Sequence, residues 1–332
     1  MSSAAPPIRT DASLTAVTDS VTHVHARARF GITDVGLIVG ALIWGVNFSI
    51  VKVGLNAFEP LTFAALRVAL AALVLCALVA TLQPAALPSR KDIIALAVLG
   101  LVGNGMYQLL FLAGISRTRA GIAALLIAAG PAWIAIISRM FRREQLPSRG
   151  WIGIGLQVIG VGWVVGSAHG VDTGGEAMYG AVLIGIGAIT WAVYTVVLQP
   201  YTSTVNPLHL AAITTASGAL VCVAAAVPSL VRTNWNAIGL DAWGAVLYAS
   251  LGAMVIAYML YYRGVRVLGA TRTAVYGNLQ PLIALAVAAI MLGETPTGPQ
   301  LLGAAFIMGG LLMSRMARVT TVVERPSIPE SA

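Results

Sequence analysis

A chain of 332 residues that is 58% hydrophobic and 10% charged lies far below the roughly 25% charged residues of a soluble domain. So few charges cannot cover an aqueous surface, so a soluble enzyme or binding domain is excluded and an all-α integral membrane protein is expected. The net charge of +8 does not describe a nucleic-acid face, because the basic residues gather at the ends of apolar runs and not among stacking aromatics.

Residues 1–33 are rich in Ser, Thr, Ala and Pro and lack an apolar core of signal-peptide type, which predicts a disordered cytoplasmic tail. Ten stretches then approach the roughly 20 apolar residues that a spanning helix needs: 34–55, 61–82, 93–115, 120–141, 149–167, 178–199, 207–228, 242–263, 270–292 and 299–317. The third and eighth carry several small or polar residues. Pro, Gly and charged residues mark the short connections, such as Glu59-Pro60, Gln83-Pro84 and Asn206-Pro207. Residues 318–332 read as a second cytoplasmic tail. Cys76 and Cys222 each sit inside an apolar run and are expected to be buried filler, not a disulfide or ligand pair.

Basic residues are retained on the cytoplasmic side. With the N-terminus inside, fifteen Lys and Arg fall in inside segments. Three, Arg117, Arg119 and Arg232, fall outside. Both termini are therefore expected in the cytoplasm, in agreement with an even number of helices.

The chain repeats itself. Gly114, Ala120, Ala124, Pro131, Glu144, Gly153 and Gly160 recur 150 positions later as Gly264, Ala270, Ala274, Pro281, Glu294, Gly303 and Gly310. Earlier in each unit the offset is 147, pairing Trp44 with Trp191 and Pro60 with Pro207. The units are 34–167 and 178–317. Five helices per unit is an odd number, so the second copy must enter the membrane inverted. Inverted repeats are an architecture of secondary transporters, whose substrate site lies near the midplane.

Pro131 and Pro281 lie about eleven residues into their segments. A proline there removes a backbone hydrogen bond, and in lipid such breaks are tolerated where they line protein or a wet cavity. They are read as hinges, against the plain alternative that proline is common in membrane helices. Lys52, near a helix end, is read as snorkelling. Arg67 lies seven residues past Pro60, about 10 Å into its helix. A buried guanidinium faces a partner or water, which leaves a substrate carboxylate or helix-end carbonyls as its partner. Acidic residues stay at the boundaries, as Asp34, Glu144, Asp241 and Glu294 do. That distribution argues against a dedicated proton relay without excluding coupling through a boundary carboxylate.

Polar and aromatic residues inside the apolar runs are the candidates for lining a cavity: Trp44, Asn47, Tyr107, Gln108, Trp191, Tyr194, Tyr258, Tyr276, Asn278 and Gln280, together with Arg67. Asn278 and Gln280 stand out, because amides at mid-membrane need partners. Tyr261 and Tyr262 fall near a predicted boundary and suit an interfacial belt equally well. The fifth and tenth segments carry glycines at helix-packing spacing and read as packing elements, a subunit interface being one setting for them. The chain has no GxxxxGK[ST] loop for ATP and no HExxH or clustered Cys/His pattern for a metal, so no cofactor is expected. Ser167 and His169 lack the setting of a nucleophile.

These motifs resemble the drug/metabolite transporter superfamily in its EamA-type ten-helix branch. The likeness spans about residues 34–317. It rests on Trp44-Gly45-x-Asn47-Phe48, on Pro60 followed by Arg67, and on the two Pro…Glu…Gly…Gly series. The second copy has Ala192, Tyr194 and Thr214 where the first has Gly45, Asn47 and Arg67, so roles of Asn47 and Arg67 are asymmetric. The resemblance implies a multi-pass protein of a bacterial inner membrane that exports small metabolites, often amino acids. It also implies helices one to four and six to nine around a central cavity, five and ten outside it, and alternating access. YddG-like exporters of aromatic amino acids are the nearest type. Carriers of nucleotide sugars or drugs, an intramembrane enzyme and a non-transporting scaffold are the alternatives. Expected partners are a small-molecule substrate and the lipid bilayer, with a monomer or homodimer both open.

Overall fold

The computed structural model describes residues 31–83, 87–140, 148–167, 175–268, 273, 276–277 and 279–316. Residues 1–30 of the expected first tail, all but its last three, the second tail, Glu144, Ala270, Ala274, Asn278 and His169 lie outside the described residues, and Pro131 is described in its backbone only; Ile32 and Thr33, expected in the tail, begin the first helix. Those from Ile32 onward fall in one compact unit. They form ten long helices: α1 (Ile32–Gly54), α2 (Pro60–Leu82), α3 (Arg90–Ile115), α4 (Ala120–Met140), α5 (Ser148–Ser167), α6 (Glu176–Leu198), α7 (Pro207–Arg232), α8 (Leu240–Gly264, continuing to Leu268), α9 (Leu279–Leu292) and α10 (Gly298–Met316). No strand occurs among the described residues. Among them, α1–α4 and α6–α8 are long and apolar enough to cross a membrane, seven in all. α9 is apolar but 14 residues long.

Local chemistry sets the ends. Pro60 and Pro207 occupy first-turn positions, where proline has no N–H to waste. Ser89 accepts from the Asp92 N–H at 3.2 Å to cap α3, and the Asn206 side chain accepts from the Leu208 N–H at 2.9 Å to cap α7. Gly293, at φ +66°, closes α9 in the left-handed conformation that glycine adopts without strain. Leu73, Ile94, Leu220 and Ile290 are exposed on the outer face, as lipid requires. Phe63, Leu75, Leu96, Leu125 and Ile184 fill the interior.

Two helices are not regular. α3 passes through a π-helical segment at Leu101–Met106 and α8 through another at Tyr248–Ile256. These are the two segments that the sequence marks by small and polar residues. The Trp44 Nε1–H donates at 2.9 Å to the Ala253 carbonyl within the second segment, and the Cys222 thiol lies 3.9 Å from the Asn104 and Gly105 carbonyls of the first. π segments concentrate at functional sites.

Contacts between the two halves of the chain are reciprocal. A Cβ built on Gly114 would come within 2.6 Å of Ile184 Cγ1, and one on Gly264 within 2.6 Å of Leu37 Cδ2. Gly264 stands 150 positions after Gly114, and Ile184 stands 147 after Leu37. α5 and α10 pack on each other in the same way: Gly160 faces Gly303 and Ile307, while Gly310 faces Gly153 and Gln157. Gly153, Gly160, Gly303 and Gly310 thus let the two helices approach closely, whereas Gly155, Gly162 and Gly309 have open space where a Cβ would stand.

Candidate functional site

α4 is two pieces, Ala120–Ala128 and Gly130–Met140, with a turn at Ala129 between them. Pro131 therefore stands at the start of a half-helix and not in mid-helix, which is where its missing N–H costs least. Pro281 has the same place in α9, two residues after Leu279 and just past a turn at Gly277. Both breaks open onto one cavity.

That cavity has a volume of about 210 Å³. α1 contributes Trp44, Asn47 and Phe48, and α2 contributes Arg67. Tyr107, Gln108 and Phe111 come from α3, and Ala124, Ile127 and Gly130 from α4. Ala188 and Trp191 come from α6, while α8 supplies Ala253, Met254, Tyr258, Tyr261 and Tyr262. Gly277, Gln280 and Pro281 complete it from α9 and the turn before it. Among the described residues, none from α5, α7 or α10 lines it.

Arg67 is the charged group of this cavity. Its side chain is 3% exposed. Nη2 donates to Gln108 Oε1 at 2.6 Å, and the guanidinium carbon lies 5.6 Å from the centroid of the Phe111 ring, within cation–π range. Nε and Nη1 are buried without a hydrogen-bond partner, as is Asn47 Oδ1. Of the two partners left open by the sequence, helix-end carbonyls are not used: Arg67 bonds the Gln108 amide instead. Glu59, the nearest acid in sequence, reaches the exposed Arg232 at 3.7 Å. No Asp or Glu lines the cavity among the described residues. An unpaired buried cation is costly, and the half-helix N-termini of α4 and α9 add positive partial charge to the same space. The arrangement is suited to an anionic group.

Aromatic rings form the rest of the wall. They run from Phe111 to Tyr107 (5.9 Å between centroids, 21° between planes), to Trp191 (5.1 Å), to Tyr258 (6.3 Å), to Trp44 (6.0 Å) and to Tyr261 (5.6 Å). These spacings are those of interacting aromatic pairs. The belt offers stacking faces above a single cation.

Two candidates from the sequence fall elsewhere. Tyr194 is buried behind Trp191, at 5.1 Å between centroids, and packs on Gly103. Tyr276 donates its hydroxyl to the buried Asp34 and ties the approach to α9 to the start of α1. Asn278 lies outside the described residues. Lys52, read as snorkelling, donates to the Ile115 carbonyl at 3.2 Å. Glu294 accepts from the Gly121 N–H at 3.4 Å, at the N-terminus of α4. Phe48, Phe111 and Met254 were not singled out in sequence, since an apolar residue in an apolar run carries no signal. Asn104 was also missed. It accepts from Tyr258 at 3.4 Å, and its signal was an amide between two glycines. No group of three or more His, Cys, Asp or Glu is positioned for a metal among the described residues.

The model of the EamA-like transporter family matches twice, at residues 31–166 and 178–316. The chain belongs to the EamA-like transporter family. EamA-like transporters form part of the drug/metabolite transporter superfamily, so this one is a multi-pass membrane transporter with a small-molecule substrate. Its relatives include the Bacillus subtilis protein named "Uncharacterized transporter YyaM", 26% identical over 279 residues, with 82% of this chain and 90% of the relative covered. Another is "Uncharacterized inner membrane transporter YedA" of Escherichia coli K12, 28% identical over 258 residues, covering 76% of this chain and 81% of that one. A crystal structure aligns on this EamA-like fold with a TM-score of 0.61 at 20% identity, covering 86% of this chain and 96% of its own.

Proposed function

We propose that this EamA-like transporter exports small metabolites that carry a carboxylate, above all amino acids with aromatic or hydrophobic side chains, from the cytoplasm across a bacterial inner membrane. The observation that carries the reading is Arg67, buried at the cavity with Nε and Nη1 unpartnered in a lining rich in aromatic rings. A carboxylate takes two N–H donors of a guanidinium, and an aromatic or aliphatic side chain takes the ring faces. Asn47 Oδ1, a buried acceptor without a partner, is the group in reach of an amino acid's ammonium. The volume of about 210 Å³ is below the roughly 300–1,000 Å³ of drug-sized pockets, which favours a small metabolite over a nucleotide sugar. A diphosphate would also call for more cations than one.

The architecture we infer is two five-helix repeats of opposite orientation, 34–167 and 178–317, making ten crossings with both termini in the cytoplasm. The twofold family match, the 150 and 147 offsets and the reciprocal glycine contacts support the repeats, and the fifteen-to-three distribution of basic residues supports the orientation. Pro131 and Pro281 act as hinges of alternating access beside the cavity. A rival reading of the chain as an enzyme or a scaffold has no observation in its favour.

The purified protein in liposomes, loaded in turn with labelled tryptophan, phenylalanine, threonine and a sugar nucleotide, tests the proposal. Efflux of the aromatic amino acids well above that from empty vesicles is expected. Movement of none of them, or of the sugar nucleotide alone, contradicts it. A proton ionophore in the same assay reads the energy coupling.

A further inference from the structure

Gln108 meets Arg67 where a carboxylate would ordinarily stand. The Gln108 side chain is 1% exposed and its amide oxygen accepts the Nη2 proton of Arg67 at 2.6 Å. It links α3 to α2 across 41 residues of sequence. Glutamate, of nearly the same shape, would hold the guanidinium more strongly with two parallel bonds. It would also cancel the charge. Phe111, on the same helix face one turn on, places its ring 5.6 Å from the guanidinium carbon, a contact that holds the cation in place without neutralising it. The other polar-tipped side chains described in the cavity lining, among them Asn47, Tyr107, Tyr258 and Gln280, are neutral too. The chain has therefore fixed the position of Arg67 from two sides while leaving its charge uncompensated by any described residue of the cavity.

We propose that Gln108 is a specificity-determining and positioning residue: it orients the Arg67 guanidinium without neutralising it, so that the cavity selects molecules bearing an anionic group and rejects the same molecules when that group is capped. The proposal rests on the reading that this cavity is the transport site. Binding to a preformed cation favours an anion by electrostatic complementarity, whereas an Arg–Glu pair in the same place would have no net charge to offer.

The test uses full-length protein in liposomes with two probes of the same shape, labelled phenylalanine and labelled phenylalaninamide, and the variants Gln108→Glu and Gln108→Met. Wild type is expected to prefer phenylalanine by about tenfold or more in kcat/KM. In Gln108→Glu the preference should fall to about unity or invert, since the new carboxylate neutralises Arg67 and no longer repels the cationic amide. In Gln108→Met, where no charge is added and only the tether is lost, KM for phenylalanine should rise severalfold while KM for the amide stays unchanged. A wild-type preference retained in Gln108→Glu overturns the proposal, and so does an equal loss for both probes in Gln108→Met, the signature of a merely structural residue. The methionine variant decides the question alone if the glutamate variant does not fold. Failure of the wild-type protein to move either probe sinks the transport-site reading beneath it, and is distinguishable because the variants then have nothing to modulate.

Discussion

Arg67, a lining residue of the cavity, holds its place through one hydrogen bond and one aromatic face, and leaves Nε and Nη1 buried without a partner. Lysine at that position keeps the charge but loses the planar fork. Arg67→Lys should therefore raise KM for an aromatic amino acid by about tenfold, and Arg67→Ala should raise it by about a hundredfold or abolish transport, in line with about 2–5 kcal/mol for truncating one side of a buried charge pair. Transport kinetics at matched protein incorporation checks this. Equal KM for all three would reduce Arg67 to a packing role. Arg67 was legible in sequence because a charge inside an apolar run is expensive and so conspicuous. Its partner was not: Gln108 lies 41 residues away, and only the packing of α2 on α3 joins them. Tyr194 and Tyr276 show the converse, for their residue type marked them as polar but not which way they face. One packs behind Trp191, the other on Asp34.

Helices carry the next layer of the account. Apolar run lengths and the punctuation by Pro, Asn and Ser located most elements to within a few residues, as with Pro60 and Pro207 at their first turns. Backbone irregularity was less legible. The prolines marked where a break could fall but not its position: α4 divides at Ala129 and restarts at Gly130, two residues and one residue before Pro131. The π segments at Leu101–Met106 and Tyr248–Ile256 have no residue signature beyond small side chains, because a π turn depends on what packs against it. If Pro131 and Pro281 act as hinges, Pro281→Ala should slow turnover severalfold while leaving substrate affinity within about twofold, since it changes backbone freedom and not the ligands. Measurement of kcat against Kd checks the split, and a loss of affinity with unchanged turnover would count against a hinge. Gly160 makes a separate prediction. Its Cβ position lies 2.8 Å from both the Gly303 carbonyl oxygen and Ile307 Cγ1, so Gly160→Leu should destabilise the α5–α10 pair by about 1–3 kcal/mol. A fall in the thermal midpoint in detergent is the expected result.

The whole molecule rests on repetition. The 150- and 147-position offsets were visible in sequence, and the contacts Gly114–Ile184 and Gly264–Leu37 exchange under the two together as two copies of one unit would. Orientation is a further claim, since contacts within a protein do not say which face meets the cytoplasm. Single cysteines in a background of Cys76→Ala and Cys222→Ala test it. Asn56→Cys and Thr297→Cys should react with an impermeant thiol reagent from outside intact cells, and Ser89→Cys and Thr204→Cys only after permeabilisation. Labelling of all four from outside, or the reverse pattern, would contradict the inverted arrangement with cytoplasmic termini. Size and charge of the cavity belong to this scale too, because Arg67, Trp44, Trp191 and Gln280 converge from four helices. The most direct measurement of their joint purpose is efflux of labelled tryptophan from liposomes containing wild type or Arg67→Ala at equal incorporation. Flux well above empty vesicles is expected for wild type, with a loss of about a hundredfold for the variant at subsaturating substrate. Equal flux from the two proteins, or none above background from wild type, would contradict the proposal.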